Sequence, residues 1–274
     1  MTLWERGIDA LRNQSGPSID ELSGRALPWR RRAPVLVTGS AGAGKTAIWR
    51  LLTGKSAPDA RSTRPDEGRV SLMGRAKRDL SLITIPGQIS LDRYRDMKLF
   101  FGEFTQLEGV IFVATFGFDT IWQDEADDVA ARLAPYNMDT LSQRNIDNEL
   151  DSFRETCFKL AEKRAVTSGA LGPRWLLVIV NKVDLMWHEL AKVQRYYLPG
   201  GGEPFDAVAR TLRERTLAYG AFRYDILPLA LDPQDYVFAP NFTEPLATPS
   251  HLSGSVAGSS FQLLLTALEE LCGA

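Results

Sequence analysis

The chain has 274 residues, of which 44% are hydrophobic and 24% are charged, and its formal net charge is −2. This composition is typical of a globular protein and excludes a chain that is disordered throughout. A net charge so close to zero provides no overall attraction to nucleic acid, so we expect no nucleic-acid partner. The basic segment Trp29–Arg32 and the acidic segment Asp124–Asp128 are interpreted as solvated surface.

The two cysteines, Cys157 and Cys272, are too few for a secreted disulfide scaffold or a zinc site, and they are consistent with a reducing compartment. The first residues are charged and lack the apolar core of a signal peptide. The longest apolar runs, 109–118 and 175–180, are far shorter than the roughly 20 residues that span a bilayer. We therefore expect a cytoplasmic protein without stable membrane insertion.

Short apolar runs alternate with longer helical patterns, which predicts an α/β fold with a mostly parallel sheet. After a predicted N-terminal helical arm over 1–32, the strands are expected at Ala33–Thr38, Val70–Gly74, Leu80–Ile85, Gly109–Thr115, Trp175–Val180 and Asp225–Ala230. The helices are expected at Lys45–Thr53, Ser90–Phe104, Gln143–Thr167, Phe205–Gly220 and Ser259–Cys272. Because the strands are continuously apolar, helices should cover both faces of the sheet and make three layers.

A single domain is expected over 33–274. Within it, the stretch 119–173 is longer than a simple crossover needs, and we interpret it as a helical insertion that adds surface. Two other segments, Tyr197–Pro204 and Pro240–Ser259, are rich in Gly or in Pro, Ser and Thr. They are predicted to be loops that bury little.

The segment Gly39–Thr46 matches the phosphate-loop pattern G-x-x-x-x-G-K-[ST], with an apolar strand before it and a helix after it. The glycines let successive backbone N–H groups point inward, and the helix N-terminus adds positive partial charge, which predicts polyphosphate binding. Lys45 is expected to bridge the terminal phosphates, and the Thr46 hydroxyl to ligate Mg²⁺. The alternative is a chance Gly-rich turn. The other phosphate contacts are expected from Gly39, Ala41, Gly42, Ala43, Gly44 and Ala47.

The motif Asn181-Lys182-Val183-Asp184 follows a buried run, at the carboxyl end of a predicted strand, where open α/β sheets bind ligands. A carboxylate there can accept hydrogen bonds from the ring N–H and the exocyclic amino group of guanine, a donor pair that adenine lacks. The alternative is a strand-ending turn with a capping aspartate. Following a phosphate loop, the motif favours guanine.

Together the two motifs resemble those of the Ras-like small GTPases of the phosphate-loop superfamily, over about 33–272 outside the insertion. The resemblance implies a P-loop GTPase fold, GTP or GDP and Mg²⁺ as cofactors, and a protein effector or activating partner. It implies that Asn181 buttresses the phosphate loop, that Lys182 stacks on the base and that Asp184 holds guanine. The family's Ser-Ala-Lys element falls on 229–231, where the Ala230 N–H is expected to reach the guanine oxygen.

The resemblance also places the two switch loops of this family. Switch I is expected in Lys55–Arg69, with Thr63 as a magnesium ligand and Ser62 as its alternative. Switch II normally reads Asp-x-x-Gly-Gln, with the aspartate holding a magnesium-bound water. Here Thr84 stands in place of that aspartate, and it is expected to contact the metal through water.

The sequence from Thr84 to Gln88 is similar to that of the bacterial gliding-motility GTPases of the MglA type, which are active switches. The similarity implies hydrolysis, with Gln88 orienting the attacking water and Gly87 sensing the terminal phosphate. The alternative is an ordinary loop glutamine in a degenerate site. Slow turnover without a partner is expected, because the Ala41 methyl group crowds the space that Gln88 must enter. The candidate arginine fingers are Arg61, Arg64 or an arginine from a partner.

The sequence therefore predicts a guanine-nucleotide switch that binds Mg-GTP, hydrolyses it slowly and signals through 55–69 and 87–98 to a protein partner. The alternative from another class is a non-hydrolysing GTP- or GDP-binding scaffold subunit of a larger bacterial complex, docked through 119–173. A small-molecule kinase is a third hypothesis, in which the Asn-Lys-Val-Asp motif and the Pro-Gly-Gln turn would have no role.

Overall fold

The computed structural model describes residues 1–13, 33–54, 66–72, 78–85, 97, 101–102, 106–121, 123–133, 135–167, 172–238 and 245–273. The helices are α1 (Leu3–Asn13), α2 (Lys45–Thr53), α3 (Gln123–Arg132), α4 (Met138–Val166), α5 (Leu190–Tyr197), α6 (Pro204–Leu217) and α7 (Val256–Cys272), with a 3₁₀ turn at Trp187–Glu189. The strands are β1 (Ala33–Gly39), β2 (Asp66–Leu72), β3 (Arg78–Thr84), β4 (Gly109–Ala114), β5 (Trp175–Val180), β6 (Arg223–Pro228), β7 (Tyr236–Phe238) and β8 (Leu246–Thr248). Among the described helices, none has the length and apolar character needed to cross a membrane.

A six-stranded sheet in the order β2-β3-β1-β4-β5-β6 forms the centre of the molecule. The β2–β3 pair is antiparallel and the other neighbouring pairs are parallel. Alternate residues of β4 face two different core clusters, with Val110 and Phe112 in one and Ile111 and Val113 in the other. Because helices cover both faces, β4 and β5 are buried along their whole length. The predicted three-layer α/β class is confirmed.

The helix α1 covers the edge strand β6. Its side chains Trp4, Ile8 and Leu11 are buried in the same core cluster as the central strands. Gly7 lies so close to Pro228 that a Cβ atom there would come within 2.6 Å of the proline ring. The described part of the predicted arm is therefore an integral part of the domain, and it protects a sheet edge that would otherwise expose unpaired backbone groups.

The predicted insertion 119–173 divides into two parts. Its long helix α4 packs on the sheet, with Phe153 and Leu160 fully buried in the core beside β4. The shorter α3 packs instead in a small satellite core with the β7–β8 hairpin, through Val129, Tyr236 and other apolar side chains. The expectation of a helical excursion off the body is thus corrected for α4, which is one of the covering helices.

The predicted loop Pro240–Ser259 is wrong in part, because it contains the strand β8, which pairs with β7 to form a hairpin. In β7, Tyr236 and Phe238 are buried while Val237 between them is exposed, which is the alternation of a half-buried strand. Each strand has only three residues, and so short a pattern is hidden in sequence by the Pro, Ser and Thr around it. Val256, within the same predicted loop, begins α7 and is fully buried.

Candidate functional site

The predicted phosphate loop connects β1 to α2 through glycines in the left-handed region. Gly39, Gly42 and Gly44 have φ angles of 139°, 74° and 97°, which residues other than glycine rarely adopt. Gly44 is also the N-cap of α2, and it has no side chain to occupy the first N–H groups of the helix. The backbone therefore has the turn that an anion site needs and a helix N-terminus without a side-chain cap.

Lys45 folds back over this loop. Its side chain is buried, and Nζ donates hydrogen bonds to the carbonyl oxygens of Ser40 at 2.5 Å and Gly39 at 3.1 Å. These bonds hold the ammonium group above the loop, beside the N–H groups that would hold phosphate oxygens. Thr46 follows in the first turn of α2 and is half-buried, so it lies next to Lys45 at the N-terminus of that helix.

The motif that follows β5 contacts the phosphate loop directly. Asn181 Nδ2 donates to the carbonyl oxygen of Ala43 at 3.2 Å, and Lys182 Nζ donates to that of Gly42 at 3.3 Å. This meeting is possible because β1 and β5 both flank β4 in parallel, so that their carboxyl ends lie at the same edge of the sheet. Two motifs that are far apart in sequence form one site.

Lys182 lies between the phosphate loop and the β7–β8 hairpin. Its Nζ also donates to the Phe118 carbonyl oxygen at 2.7 Å and to Thr120 Oγ1 at 2.9 Å, and it lies 5.8 Å from the centre of the Tyr236 ring. Burial lowers the pKa of the Lys182 ammonium, and the nearby carboxylates, Asp119 first, oppose that effect. These contacts fix the Lys182 side chain at the edge of the sheet where the predicted guanine base would lie.

Asp184 lies at the same sheet edge, as predicted, and is buried with 1% of its surface exposed. Its Oδ2 accepts a hydrogen bond from Ser250 Oγ at 2.7 Å, and its backbone oxygen accepts one from the His251 N–H at 3.1 Å. Burial raises the pKa of the Asp184 carboxyl, and the bond from Ser250 opposes this. Sequence reasoning missed Ser250, because one serine in a Pro- and Ser-rich segment carries no distinguishing signal.

The backbone N–H of Ala230, predicted to reach guanine, has a partner inside the protein. It donates to Ser260 Oγ at 3.1 Å, and Ala230 itself is fully buried. The structure thus directs this N–H toward α7, because that helix packs against the end of β6.

The segment Thr115–Thr120 after β4, which sequence reasoning did not identify, supports the phosphate loop. Asp119 is buried, and its Oδ1 accepts hydrogen bonds from Ser40 Oγ at 3.1 Å and Thr115 Oγ1 at 2.9 Å. The Thr120 N–H donates to the Gly42 carbonyl oxygen at 3.2 Å. Burial raises the pKa of Asp119, opposed by Thr115 and Lys182 among others. Its place at the carboxyl end of a buried strand was the only available sequence signal.

Thr84 ends β3, with Val37 of β1 beside it, and its Oγ1 is buried without a hydrogen-bond partner among the described residues. A buried hydroxyl normally has a partner, and a magnesium-bound water can be that partner, so the predicted indirect contact fits. The described residues also contain no group of three or more His, Cys, Asp or Glu that could hold a metal. Among the described residues, the predicted metal contacts are therefore Thr46 directly and Thr84 through water.

Replacing Thr84 with Asp is expected to tighten Mg²⁺ binding to the nucleotide complex by about tenfold, because a charged acceptor near bound metal binds its water more strongly than a hydroxyl. Magnesium titration of the nucleotide complex measures the effect. Thr84→Val, which keeps the shape and removes the hydroxyl, is the matched control. Equal magnesium affinity in both variants and the wild type would place Thr84 beyond reach of the metal's water shell.

The remaining predicted residues lie outside the described part of the chain. They are the switch residues Thr63, Gly87 and Gln88 and the arginine candidates Arg61 and Arg64. Their roles stay predictions. The site that the structure describes is therefore the phosphate loop, the Asn181–Asp184 motif and the Thr115–Thr120 segment.

Comparison with known proteins adds little to this site. No protein-family model matches the chain, and no curated protein matches its sequence. Among solved structures, the chain is similar to one described as "The Structure of the Mammalian SRP Receptor", with 18% identity and a TM-score of 0.44, covering 87% of this chain and 99% of that one. Similarity at this level does not indicate which residues act or what they bind.

Proposed function

We propose that the protein is a guanine-nucleotide-binding switch that binds Mg-GTP and slowly hydrolyses it to GDP and phosphate. The observation that carries this proposal is the pair of hydrogen bonds from Asn181 and Lys182 to carbonyl oxygens of the phosphate loop. A loop suited to phosphates and a motif suited to a purine are thereby joined in one rigid unit. Neither motif alone would distinguish a nucleotide from another phosphorylated ligand.

The preference for guanine rests on Asp184. Its carboxylate lies at the sheet edge that carries the phosphate loop, and Ser250 donates to one of its oxygens. Each carboxylate oxygen can accept more than one hydrogen bond, so Ser250 orients the group while acceptor capacity remains for the two N–H donors of guanine. Adenine offers no such donor pair. The buried position of Asp184 makes an unpaired acceptor costly, which favours the ligand that satisfies it.

For hydrolysis, Lys45 would stabilise the negative charge that develops on the transferred phosphoryl group, while the N–H groups of the loop and of α2 hold its oxygens. Mg²⁺, when bound, supplies further charge neutralisation there, with Thr46 as ligand and Thr84 acting through water. Gln88 is proposed to orient the attacking water. Turnover is expected to be slow, because the switch II aspartate is replaced by Thr84 and the Ala41 side chain narrows the space for the glutamine.

The nucleotide state would be read by a protein partner in the cytoplasm through 55–69 and 87–98. The narrower Ras-like and gliding-motility affiliation rests on the motif from Thr84 to Gln88 alone. The contrasting proposal is a non-hydrolysing scaffold. It is favoured by the uncharged Thr84, which stands where switch II normally has an aspartate.

The test is phosphate release from purified protein with Mg-GTP, compared with Mg-ATP and with Lys45→Ala. A slow release that is specific for GTP and lost in Lys45→Ala supports the switch. Tight GTP binding with no release above the Lys45→Ala level, with the natural partner added, favours the scaffold. Absence of binding to any purine nucleotide overturns both proposals.

A further inference from the structure

Glu149 of α4 is a fully buried carboxyl group that the proposed reaction does not use. Its Oε2 accepts hydrogen bonds from the backbone N–H groups of Thr115 at 2.7 Å and Phe116 at 3.2 Å. Its Oε1 accepts one from the Tyr197 hydroxyl of α5, which itself accepts from the Phe116 N–H at 3.0 Å. Glu149 thus connects two helices to the first residues after β4.

The same segment contacts the nucleotide site on its other side. Thr115 donates its hydroxyl to Asp119, which accepts from Ser40 of the phosphate loop, and Lys182 donates to the Phe118 carbonyl oxygen. A single run of six residues, 115–120, therefore lies between the α4–α5 pair and both nucleotide-binding motifs.

The backbone of this segment needs external support. Phe116 has a φ of 50°, a left-handed conformation that is uncommon for an aromatic residue. Such conformations persist only where the surroundings hold them. Here the support comes from Glu149 and Tyr197 on the Phe116 N–H, and from Asn145 Nδ2 on the Gly117 carbonyl oxygen at 2.8 Å.

We propose that Glu149 is a positioning residue for the nucleotide site, which acts through Thr115–Thr120 on Ser40 and Lys182. The proposal rests on the proposed function, since the ligand whose binding it adjusts is Mg-GTP. It makes α4 a helix whose packing sets nucleotide affinity. Loss of the carboxyl acceptor would leave the buried Thr115 N–H without its acceptor and the Phe116 N–H with Tyr197 alone, and would release the loop that orients Asp119.

The ionisation of Glu149 would make nucleotide affinity depend on pH, which a purely structural role of this side chain would not do. Burial, followed by the charge of Asp119, raises the pKa of Glu149 to about 8, against the hydrogen bonds from Tyr197 and the loop N–H groups. Among the described residues, the ionisable groups that interact with it are Asp119 from the loop and Tyr196 and Tyr197 from α5. Lys182 lies beside Asp119 on the site side.

Because this pKa is raised, Glu149 is neutral below it and ionised above it. Ionisation would place a second negative charge beside Asp119, in the wall of an anion site, so nucleotide affinity should fall as pH rises through about 8. A glutamine mimics the neutral form, since its oxygen can accept from Thr115 and Phe116 and its amide can donate to Tyr197. Glu149→Gln should therefore keep the loop in place and abolish this pH response.

The experiment is calorimetric titration of the whole protein with Mg-GTP at about pH 7 and about pH 9, with thermal unfolding of each variant. Glu149→Leu is expected to weaken binding about 10- to 100-fold, as misplaced binding groups do. Tyr197→Phe should weaken it less. The dissociation constant of Glu149→Gln for Mg-GTP should stay within about threefold of the wild-type value near neutral pH. This variant should also lack the fall in affinity that the wild type shows at high pH. Asp151→Asn, an exposed carboxylate on the same helix, is the control and should match wild type.

A folded Glu149→Leu protein with wild-type affinity would overturn the proposal. If Glu149→Leu does not fold, the pH profiles decide, and parallel profiles for wild type and Glu149→Gln would overturn it. If the wild-type protein binds no GTP, both the proposed function and this inference are wrong. If the wild type binds GTP and every variant has the same affinity, only this inference is wrong.

Discussion

Replacing Lys45 with Ala is expected to raise the dissociation constant of Mg-GTP by about 100-fold or more, because it removes charge-assisted hydrogen bonds to phosphate. The structure sharpens this expectation. Lys45 Nζ is held by the carbonyl oxygens of Gly39 and Ser40, so its removal leaves two acceptors facing the phosphates without a cation between them. Both the lost attraction and the new repulsion weaken binding.

Equilibrium titration with GTP measures this effect, and Arg154→Ala provides a control for the loss of a cation. Arg154 is exposed on α4 and pairs with Asp151, so its removal should leave nucleotide affinity unchanged. Thermal unfolding would establish that Lys45→Ala remains folded. Wild-type affinity in a folded Lys45→Ala protein would contradict the placement of the terminal phosphates beside Lys45.

The second large effect is expected from Asp184→Asn, which should weaken GTP binding by about 100-fold or more and make xanthosine triphosphate the better ligand. The reason is the donor pattern. The aspartate accepts from two N–H groups, whereas asparagine accepts from one and donates to a carbonyl oxygen, which is what the xanthine ring offers in place of the amino group. Adenosine triphosphate should bind weakly to both proteins.

Competition among the three triphosphates measures this change of preference. Asp232→Asn is the matched control, because Asp232 is an exposed acid close enough to affect the charge of Asp184. It should keep the preference for GTP. Unchanged GTP affinity in Asp184→Asn, or no gain for xanthosine triphosphate, would remove the basis for guanine recognition while leaving the phosphate site untouched.

The sequence by itself determined the layers of the fold and the two motifs of the site. The bounds of α2 and β5 agree with their predictions, because a buried parallel strand is apolar throughout and a phosphate loop leads directly into a helix. The convergence of Gly39–Thr46 with Asn181–Asp184 also followed from sequence, since the carboxyl ends of parallel strands share an edge. These features depend on local pattern and on a general rule of topology.

Only the tertiary structure decided what surrounds those motifs. Glu149 is one acidic residue in a helix with many charges, and its burial exists only after α4 packs on the sheet. Ser250 reaches Asp184 because a hairpin with three-residue strands returns the chain to the sheet edge. Contacts of this kind join residues with no regular spacing, so no periodic pattern encodes them, and their energy comes from desolvation and hydrogen bonding that arise only on packing.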